Sequence, residues 1–250
     1  MTRIGQKSCV MAKIFRKEVA GNLVRACCFT MPLPRDTALE RAEKQKMTSA
    51  ARARMNVKTS WEKCRLTAAA NFGAGDLFVS LTYDEASLPA HREEATSKMA
   101  GFLRQLRAAY KRADAPELKY LYVTEHKHGE GRWHHHAFIS GSPSAGELIR
   151  SLWTYGNIDI KPVDPLQLVD LAKYFCKESV DERRKVGKRL WTPSKNLSKP
   201  KIERQYVSDD FTLTVPPGGY LIENPSSRNN YGEFSYLEYW QPGSAESAVI

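Results

Sequence analysis

Two short segments rich in β-branched and aromatic residues, separated by a polar loop, place the strongest constraint on the fold of this chain. Lys119–Glu125 (KYLYVTE) and His134–Ser140 (HHHAFIS) each have the composition of a strand. The loop between them, HKHGEGRW, contains glycine and is long enough to close a hairpin. The two segments are therefore predicted to pair as antiparallel strands, which brings Glu125 beside His134.

The segments on either side of this hairpin alternate between strand-like and helix-like patterns. Strand segments carry runs of β-branched and aromatic residues, whereas helical segments repeat apolar residues every three or four positions or begin with capping residues. Helices inserted between antiparallel strands predict an α+β fold, with an antiparallel central sheet and flanking helices. The predicted elements are a strand over Leu77–Tyr83, a helix around Met99–Tyr110, a short helix from Ser144, a strand over Asn157–Val163 and a helix over Leu166–Val180.

The chain is predicted to contain one main domain with an appendage at each end. Its 250 residues, of which 42% are hydrophobic, suffice for one sizeable core. Residues 1–70 are expected to form a basic, largely helical segment, because Leu39–Ala70 contains neither glycine nor proline. Residues 71–180 would form the central domain, and residues 181–250 an irregular tail that is first basic and then acidic.

The net charge of +10 is concentrated outside the central region. The local charge is +10 for residues 1–70, −1 for 71–180, +6 for 181–205 and −5 for 206–250. Basic segments beside a near-neutral body favour a catalytic domain with arms that bind nucleic acid, because phosphate neutralisation supplies most non-specific affinity. The alternative is a basic surface that faces only solvent.

The chain is expected to be cytoplasmic and to have no membrane partner. Its most apolar early stretch, Asn22–Leu33, is interrupted by Arg25, which argues against a membrane span or a signal peptide. The five cysteines form no C-x-x-C pair, so neither a disulfide framework nor a zinc knuckle is indicated.

Three consecutive histidines at the start of the second hairpin strand predict a metal site. Alternate side chains of a strand share a face, so His134 and His136 point together and His135 points away. With Glu125 as third ligand, two imidazoles and a carboxylate leave positions open for a phosphate oxygen and water, as a catalytic site requires. His128 in the loop is a reserve ligand. The alternative is that these histidines only satisfy local hydrogen bonds.

A tyrosine on the last predicted helix is the candidate nucleophile. Tyr174 and Lys177 are three residues apart and would share one helical face. A nearby ammonium group favours the phenolate, although the same spacing is common on ordinary amphipathic helices. Tyr155 is the nearest rival, but no lysine follows it three or four residues onward.

In this order, the strand Phe78–Thr82, the His-x-His strand and the Tyr-x-x-Lys helix resemble the HUH endonucleases, in particular the single-tyrosine replication initiators of small phages and plasmids. The resemblance covers about residues 71–180. It implies a ferredoxin-like or RRM-like palm and Mg²⁺ or Mn²⁺ as cofactor, although imidazole ligands also suit zinc. Residues outside the motifs that also fit phage-type initiators are Asn71, Phe72 and Asp76 upstream, and Trp191, Ser194, Leu197 and Pro200 downstream.

The roles implied by the resemblance are metal ligation by His134, His136 and Glu125, and attack by Tyr174 with support from Lys177. Two positions depart from the family pattern. His135 stands where a bulky hydrophobic residue is usual, so the register could instead place His135 among the ligands. Glu178 stands where two-tyrosine relatives have their second tyrosine, which favours a single-tyrosine mechanism.

The implied function is a bacterial replication initiator that nicks single-stranded or hairpin origin DNA, leaving a 5′-phosphotyrosyl link and a free 3′-hydroxyl for rolling-circle replication. The chain has no G-x-x-x-x-G-K-[ST] motif, so a host helicase would unwind the DNA and a host polymerase would extend it. One alternative is a transposase or relaxase with the same chemistry. Another is a basic DNA-binding regulator whose histidines hold a structural metal.

Overall fold

The computed structural model describes the chain as two compact units, one formed by residues 1–52 and 200–250 and the other by residues 53–199. The described residues are 13–30, 49–126, 132–164, 168, 190–224, 227–229 and 232–243. Their elements are β1 (Lys13–Ala20), β2 (Leu23–Thr30), α1 (Ser49–Ala69), β3 (Leu77–Thr82), α2 (Arg92–Arg112), β4 (Tyr120–His126), β5 (Trp133–Ile139), α3 (Ala145–Leu152), β6 (Ile158–Pro162), β7 (Thr192–Pro193), β8 (Lys201–Val207), β9 (Tyr220–Glu223), β10 (Ser227–Asn229) and β11 (Gly232–Trp240).

The unit of residues 53–199 is built on a five-stranded sheet in the order β6-β3-β5-β4-β7, with every neighbouring pair antiparallel. The α+β class, the central hairpin and the flanking strands and helices are confirmed. The short helix α3 begins where the capping pattern predicted, but the Ser144 side chain makes no capping hydrogen bond. The helix predicted over 166–180 lies outside the described residues, apart from Leu168.

The core of this unit lies between the sheet and the helices α2 and α3. Helix α2 is amphipathic, and its apolar residues recur three or four positions apart, so they form one buried stripe. Sheet residues that alternate along β3 and β5 face this stripe from below. The buried core residues contributed by α2 are Met99, Phe102, Leu103, Leu106 and Tyr110.

The turn between α1 and β3 is fastened to the end of β5. The Asp76 carboxylate accepts hydrogen bonds from the backbone N–H groups of Gly73, at 2.9 Å, and Gly141, at 2.8 Å. A Cβ atom on Gly141 would lie 1.8 Å from the carbonyl oxygen of Gly75, so only glycine fits there. Phe72 stacks on Phe138 with ring centroids 5.5 Å apart.

The segment after residue 189 is ordered against this unit, which corrects the prediction of an irregular tail from residue 181. The Ser194 hydroxyl accepts a hydrogen bond from the Tyr120 backbone N–H at 3.1 Å, at the edge of the sheet beside β7. The Trp191 indole N–H donates to the Ser60 carbonyl oxygen at 3.0 Å. Two residues noted downstream of the motifs therefore anchor this segment to the sheet and to α1.

The other unit contains a six-stranded sheet in the order β10-β11-β2-β1-β8, with β9 paired to β11. The expectation that residues 1–70 are largely helical holds for α1 and is wrong for Lys13–Thr30, which forms the hairpin β1–β2. The turn Gly21-Asn22 carried the missed signal, since a two-residue loop with glycine closes hairpins, and Gly21 has a φ of 59°. The expected irregular tail is likewise wrong for β8–β11, which complete this sheet.

None of the helices in the described part of the chain combines the length and the apolar character that crossing a membrane requires.

Candidate metal centre

Glu125, His134 and His136 form a group that could hold a metal ion, with their ligand atoms all within 4.8 Å of one another. The Nε2 atoms of His134 and His136 lie 3.5 Å and 3.9 Å from Oε2 of Glu125. Metal bonds to imidazole nitrogen and carboxylate oxygen are about 2.0–2.2 Å long, so two ligands of one ion can be up to roughly 4.3 Å apart. Both separations from Glu125 meet this limit.

The register of the β4–β5 hairpin produces this arrangement. Glu125 is the direct cross-strand partner of His134, and Val123 is the partner of His136. Cross-strand partners and alternate residues of a strand point to the same side of a sheet, so the three ligands converge. The two imidazole rings have centroids 5.0 Å apart and stand nearly perpendicular, at 81°.

Burial keeps the His136 imidazole neutral. The side chain is 8% exposed, and desolvation, followed by the neighbouring His134, lowers the pKa of His136 to about 4. A neutral imidazole has a free lone pair for a metal, whereas a protonated one does not. Glu125 is also buried, at 4% exposure, while the His134 side chain retains 16% of its exposure. The group is therefore open to solvent on the His134 side.

Ser80 orients the ring of His136. The Ser80 hydroxyl lies 2.9 Å from Nδ1 of His136, because the two residues are cross-strand partners on β3 and β5. This bond engages Nδ1 and leaves Nε2 directed toward Glu125. Phe78 stacks on the same imidazole, with centroids 5.7 Å apart and planes 14° apart. The sequence analysis missed Ser80, since nothing in the local pattern pairs it with residue 136.

His135 lies on the opposite face of the sheet, as the strand alternation predicted. The ring is fully buried, and burial lowers its pKa to about 3. Its Nε2 lies 2.7 Å from the Tyr83 hydroxyl and its Nδ1 lies 3.0 Å from the Thr124 hydroxyl. Because both ring nitrogens are engaged on the α2 side, the geometry does not support the alternative register with His135 among the ligands.

Two charged residues of β6 share the face of the metal group. Asp159 is the cross-strand partner of Ser80, and Lys161 is the partner of Phe78. Their side chains are exposed and form an ion pair with 3.3 Å between Nζ and Oδ2. The carboxylate of Asp159 is close enough to oppose, in part, the lowering of the His136 pKa. The sequence analysis did not identify either residue.

The rival tyrosine, Tyr155, lies away from the metal group. Its ring packs on Trp153, at 5.1 Å between centroids, and on Tyr83, both of which belong to the core on the α2 side. Lys98 of α2 stands 5.5 Å from the Tyr155 ring centroid, so a lysine is near after all, although none follows in sequence. The predicted nucleophile Tyr174, its neighbour Lys177 and the reserve ligand His128 lie outside the described residues.

The model of a family described as replication-associated protein ORF2 matches residues 76–181. The matched segment begins at the turn before β3 and contains the whole Glu125–His134–His136 group. The chain has no significant match among curated proteins or among solved structures. The similarity to this family associates residues 76–181 with DNA replication.

Proposed function

We propose that this chain initiates rolling-circle replication by nicking single-stranded DNA at an origin, with Tyr174 as nucleophile. The observation that carries the proposal is the convergence of Glu125, His134 and His136 within a segment that matches a replication-associated family. The same matched segment includes Tyr174 and Lys177. Charge supports it as well, because residues 1–70 and 181–205 carry local charges of +10 and +6.

Glu125, His134 and His136 would hold one divalent cation, which we propose to be Mg²⁺ or Mn²⁺. When bound, such an ion polarises a phosphate oxygen and stabilises the charge that develops on it. Three protein ligands leave coordination positions open for that oxygen and for water. The partly exposed side of the group at His134 gives a DNA strand access to these positions.

In the proposed reaction, the Tyr174 oxygen attacks the scissile phosphorus, and the bond from phosphorus to the 3′ oxygen breaks. The tyrosine loses one proton and the departing 3′ oxygen gains one, so the products are a 5′-phosphotyrosyl enzyme and a free 3′-hydroxyl. Lys177, three residues along the predicted helix, would stabilise the phenolate. Because one phosphodiester replaces another, the reverse reaction can rejoin the ends without a nucleotide cofactor.

The proposed partners follow from what the chain lacks in sequence. It contains no phosphate-binding loop of the G-x-x-x-x-G-K-[ST] type, so a helicase of the bacterial host would unwind the DNA. A host polymerase would extend the 3′-hydroxyl. The DNA partner would be an origin presented as a single strand or as a hairpin.

The test is covalent capture from a single-stranded DNA library of random sequence with fixed, labelled ends. Incubation of the full chain with this library and Mn²⁺ should give a labelled protein band on denaturing gels, and sequencing of the captured strands should show one preferred nick site. The band should be absent in EDTA. A band that persists in EDTA, or no band with any strand, would contradict the proposal.

The same assay separates the alternative functions. A transposase would join the captured strand to a second DNA molecule, whereas an initiator leaves a 3′-hydroxyl that a polymerase extends. A regulator with a structural metal would bind DNA without forming any covalent product.

A further inference from the structure

One face of the six-stranded sheet carries aromatic and arginine side chains that the core of its unit does not use. The apolar core of this unit lies on the other face, where Val24 and Ala26 of β2 pack with Leu237 and Tyr239 of β11. The residues of interest alternate with these core residues along the same strands. We name as the aromatic–arginine face the set Ile14, Arg16, Cys27, Phe29, Arg204, Tyr206, Phe234 and Tyr236.

Strand register arranges this set in two rows that cross four strands. Cross-strand partners point to the same side, so each row is a continuous line of side chains. The first row is almost entirely aromatic, and the second places two arginines next to each other. The rows are Tyr206–Ile14–Phe29–Phe234 and Arg204–Arg16–Cys27–Tyr236, each read from β8 through β1 and β2 to β11.

The ends of the aromatic row are open to solvent. Tyr206 is 76% exposed and Phe234 is 40% exposed, and Phe29 between them is half-buried. Three strand spacings separate Tyr206 from Phe234, which is about 14 Å. Phe234 also stacks on Tyr236 of the second row, with ring planes 22° apart. Exposed aromatic rings in a line gain nothing from the fold itself, which points to a ligand with flat, apolar faces.

The charge on these two rows is positive. Arg16 and Arg204 are direct cross-strand neighbours, and neither row contains an acidic residue. The carboxylates of the adjacent row, those of Glu18 and Glu238, are buried and lie 3.6 Å and 3.7 Å from the Arg25 guanidinium. A second copy of this face would bring arginine against arginine, which disfavours self-association. A polyanion is the complementary partner.

We propose that the aromatic–arginine face binds single-stranded nucleic acid, as a DNA contact separate from the metal centre. Bases would stack on Phe29, Tyr206 and Phe234, and phosphates would lie over Arg16 and Arg204. Open sheets that display aromatic side chains beside basic ones bind single strands in this way, because every base has a stackable face. The row is long enough for more than one unstacked base. This inference does not depend on the proposed cleavage reaction.

The experiment measures anisotropy of a short fluorescent oligothymidylate with the full chain in EDTA, so that no metal-dependent cleavage contributes. Tyr206→Ala should weaken binding at least about fivefold, since stacking contributes roughly 1–3 kcal/mol per base. Tyr206→Trp should restore it. Leu221→Ala is the matched control, because Leu221 is 55% exposed and pairs with the core residue Tyr239 on the other face.

The charge is tested by the salt dependence of the same binding. Arg204→Gln should reduce the slope of log K against log salt by about 0.7, the value for one phosphate contact on a single strand. Lys17→Gln on the core-side face of β1 should leave the slope unchanged. His134→Ala should also bind normally, which separates this site from the metal centre.

Two results would overturn the proposal. One is equal affinity of Tyr206→Ala and the unaltered chain at every salt concentration. The other is that Tyr206→Ala leaves DNA binding intact but lowers the molecular mass measured by light scattering, which would assign the face to a second copy of the chain.

Discussion

The Ser80 hydroxyl and Nδ1 of His136 lie 2.9 Å apart on neighbouring strands. This bond holds the imidazole with Nε2 toward Glu125, so a serine that cannot itself reach the ligand position controls one of the three ligands. Hydrogen bonds of this kind preserve ligand orientation, and their loss typically weakens metal binding 10- to 100-fold.

Ser80→Ala should therefore raise the Mn²⁺ concentration needed for half-maximal metal binding by about 10- to 100-fold, while the fold persists. Titration calorimetry measures this directly. Ser80→Thr keeps the hydroxyl and should retain most of the affinity. If Ser80→Ala bound Mn²⁺ as the unaltered chain does, Ser80 would have no positioning role.

Replacing His134 or His136 with alanine should reduce Mn²⁺ affinity by more than about 100-fold and abolish nicking, because each change removes a proposed ligand. Excess EDTA should have the same effect on the unaltered chain. His126→Ala is the matched control, since His126 is exposed on the same hairpin and its ring stacks on Trp133. Full nicking in EDTA would rule out a metal requirement.

Tyr174→Phe should bind metal and DNA normally and form no covalent adduct, because only the attacking oxygen is removed. Peptide mapping of the adduct on the unaltered chain should locate the nucleotide on Tyr174. Tyr155→Phe is the control, since the Tyr155 ring packs with Trp153 on the α2 side of the sheet. An adduct on Tyr155, or normal cleavage by Tyr174→Phe, would reassign the nucleophile.

The metal-free protein should lose stability as the pH falls below about 6.5. Burial lowers the folded-state pKa of His136 to about 4 and that of His135 to about 3, so the unfolded chain binds more protons in this range. Stability is thus fully present above pH 6.5, the ordinary value, and lost as pH falls toward these folded values. Each imidazole contributes a slope of up to about 1.4 kcal/mol per pH unit.

Urea denaturation in EDTA at several pH values measures this slope. His135→Gln removes one of the two titrating groups and can still bond to Tyr83 or Thr124, so its unfolding free energy should depend less steeply on pH. An unfolding free energy that stays constant from neutral pH to pH 5 would show that these imidazoles are not held neutral.

The sequence by itself determined the hairpin and the identity of the ligand candidates. Strand periodicity separates His134 and His136 from His135, and an eight-residue loop between two strands brings Glu125 back to His134. Both properties are local, because they depend on alternation within a strand and on the closure of one turn. The structure therefore agrees with the prediction at these positions.

Only the tertiary structure decided which distant residues meet the hairpin. Ser80 stands opposite His136 because of the register between β3 and β5, which lie more than fifty residues apart. The sheet that contains β1 joins Lys13 to Val207, and this pairing made the predicted tail part of a folded unit. Pairing between distant strands depends on the packing of whole faces, and no local pattern of residues specifies it.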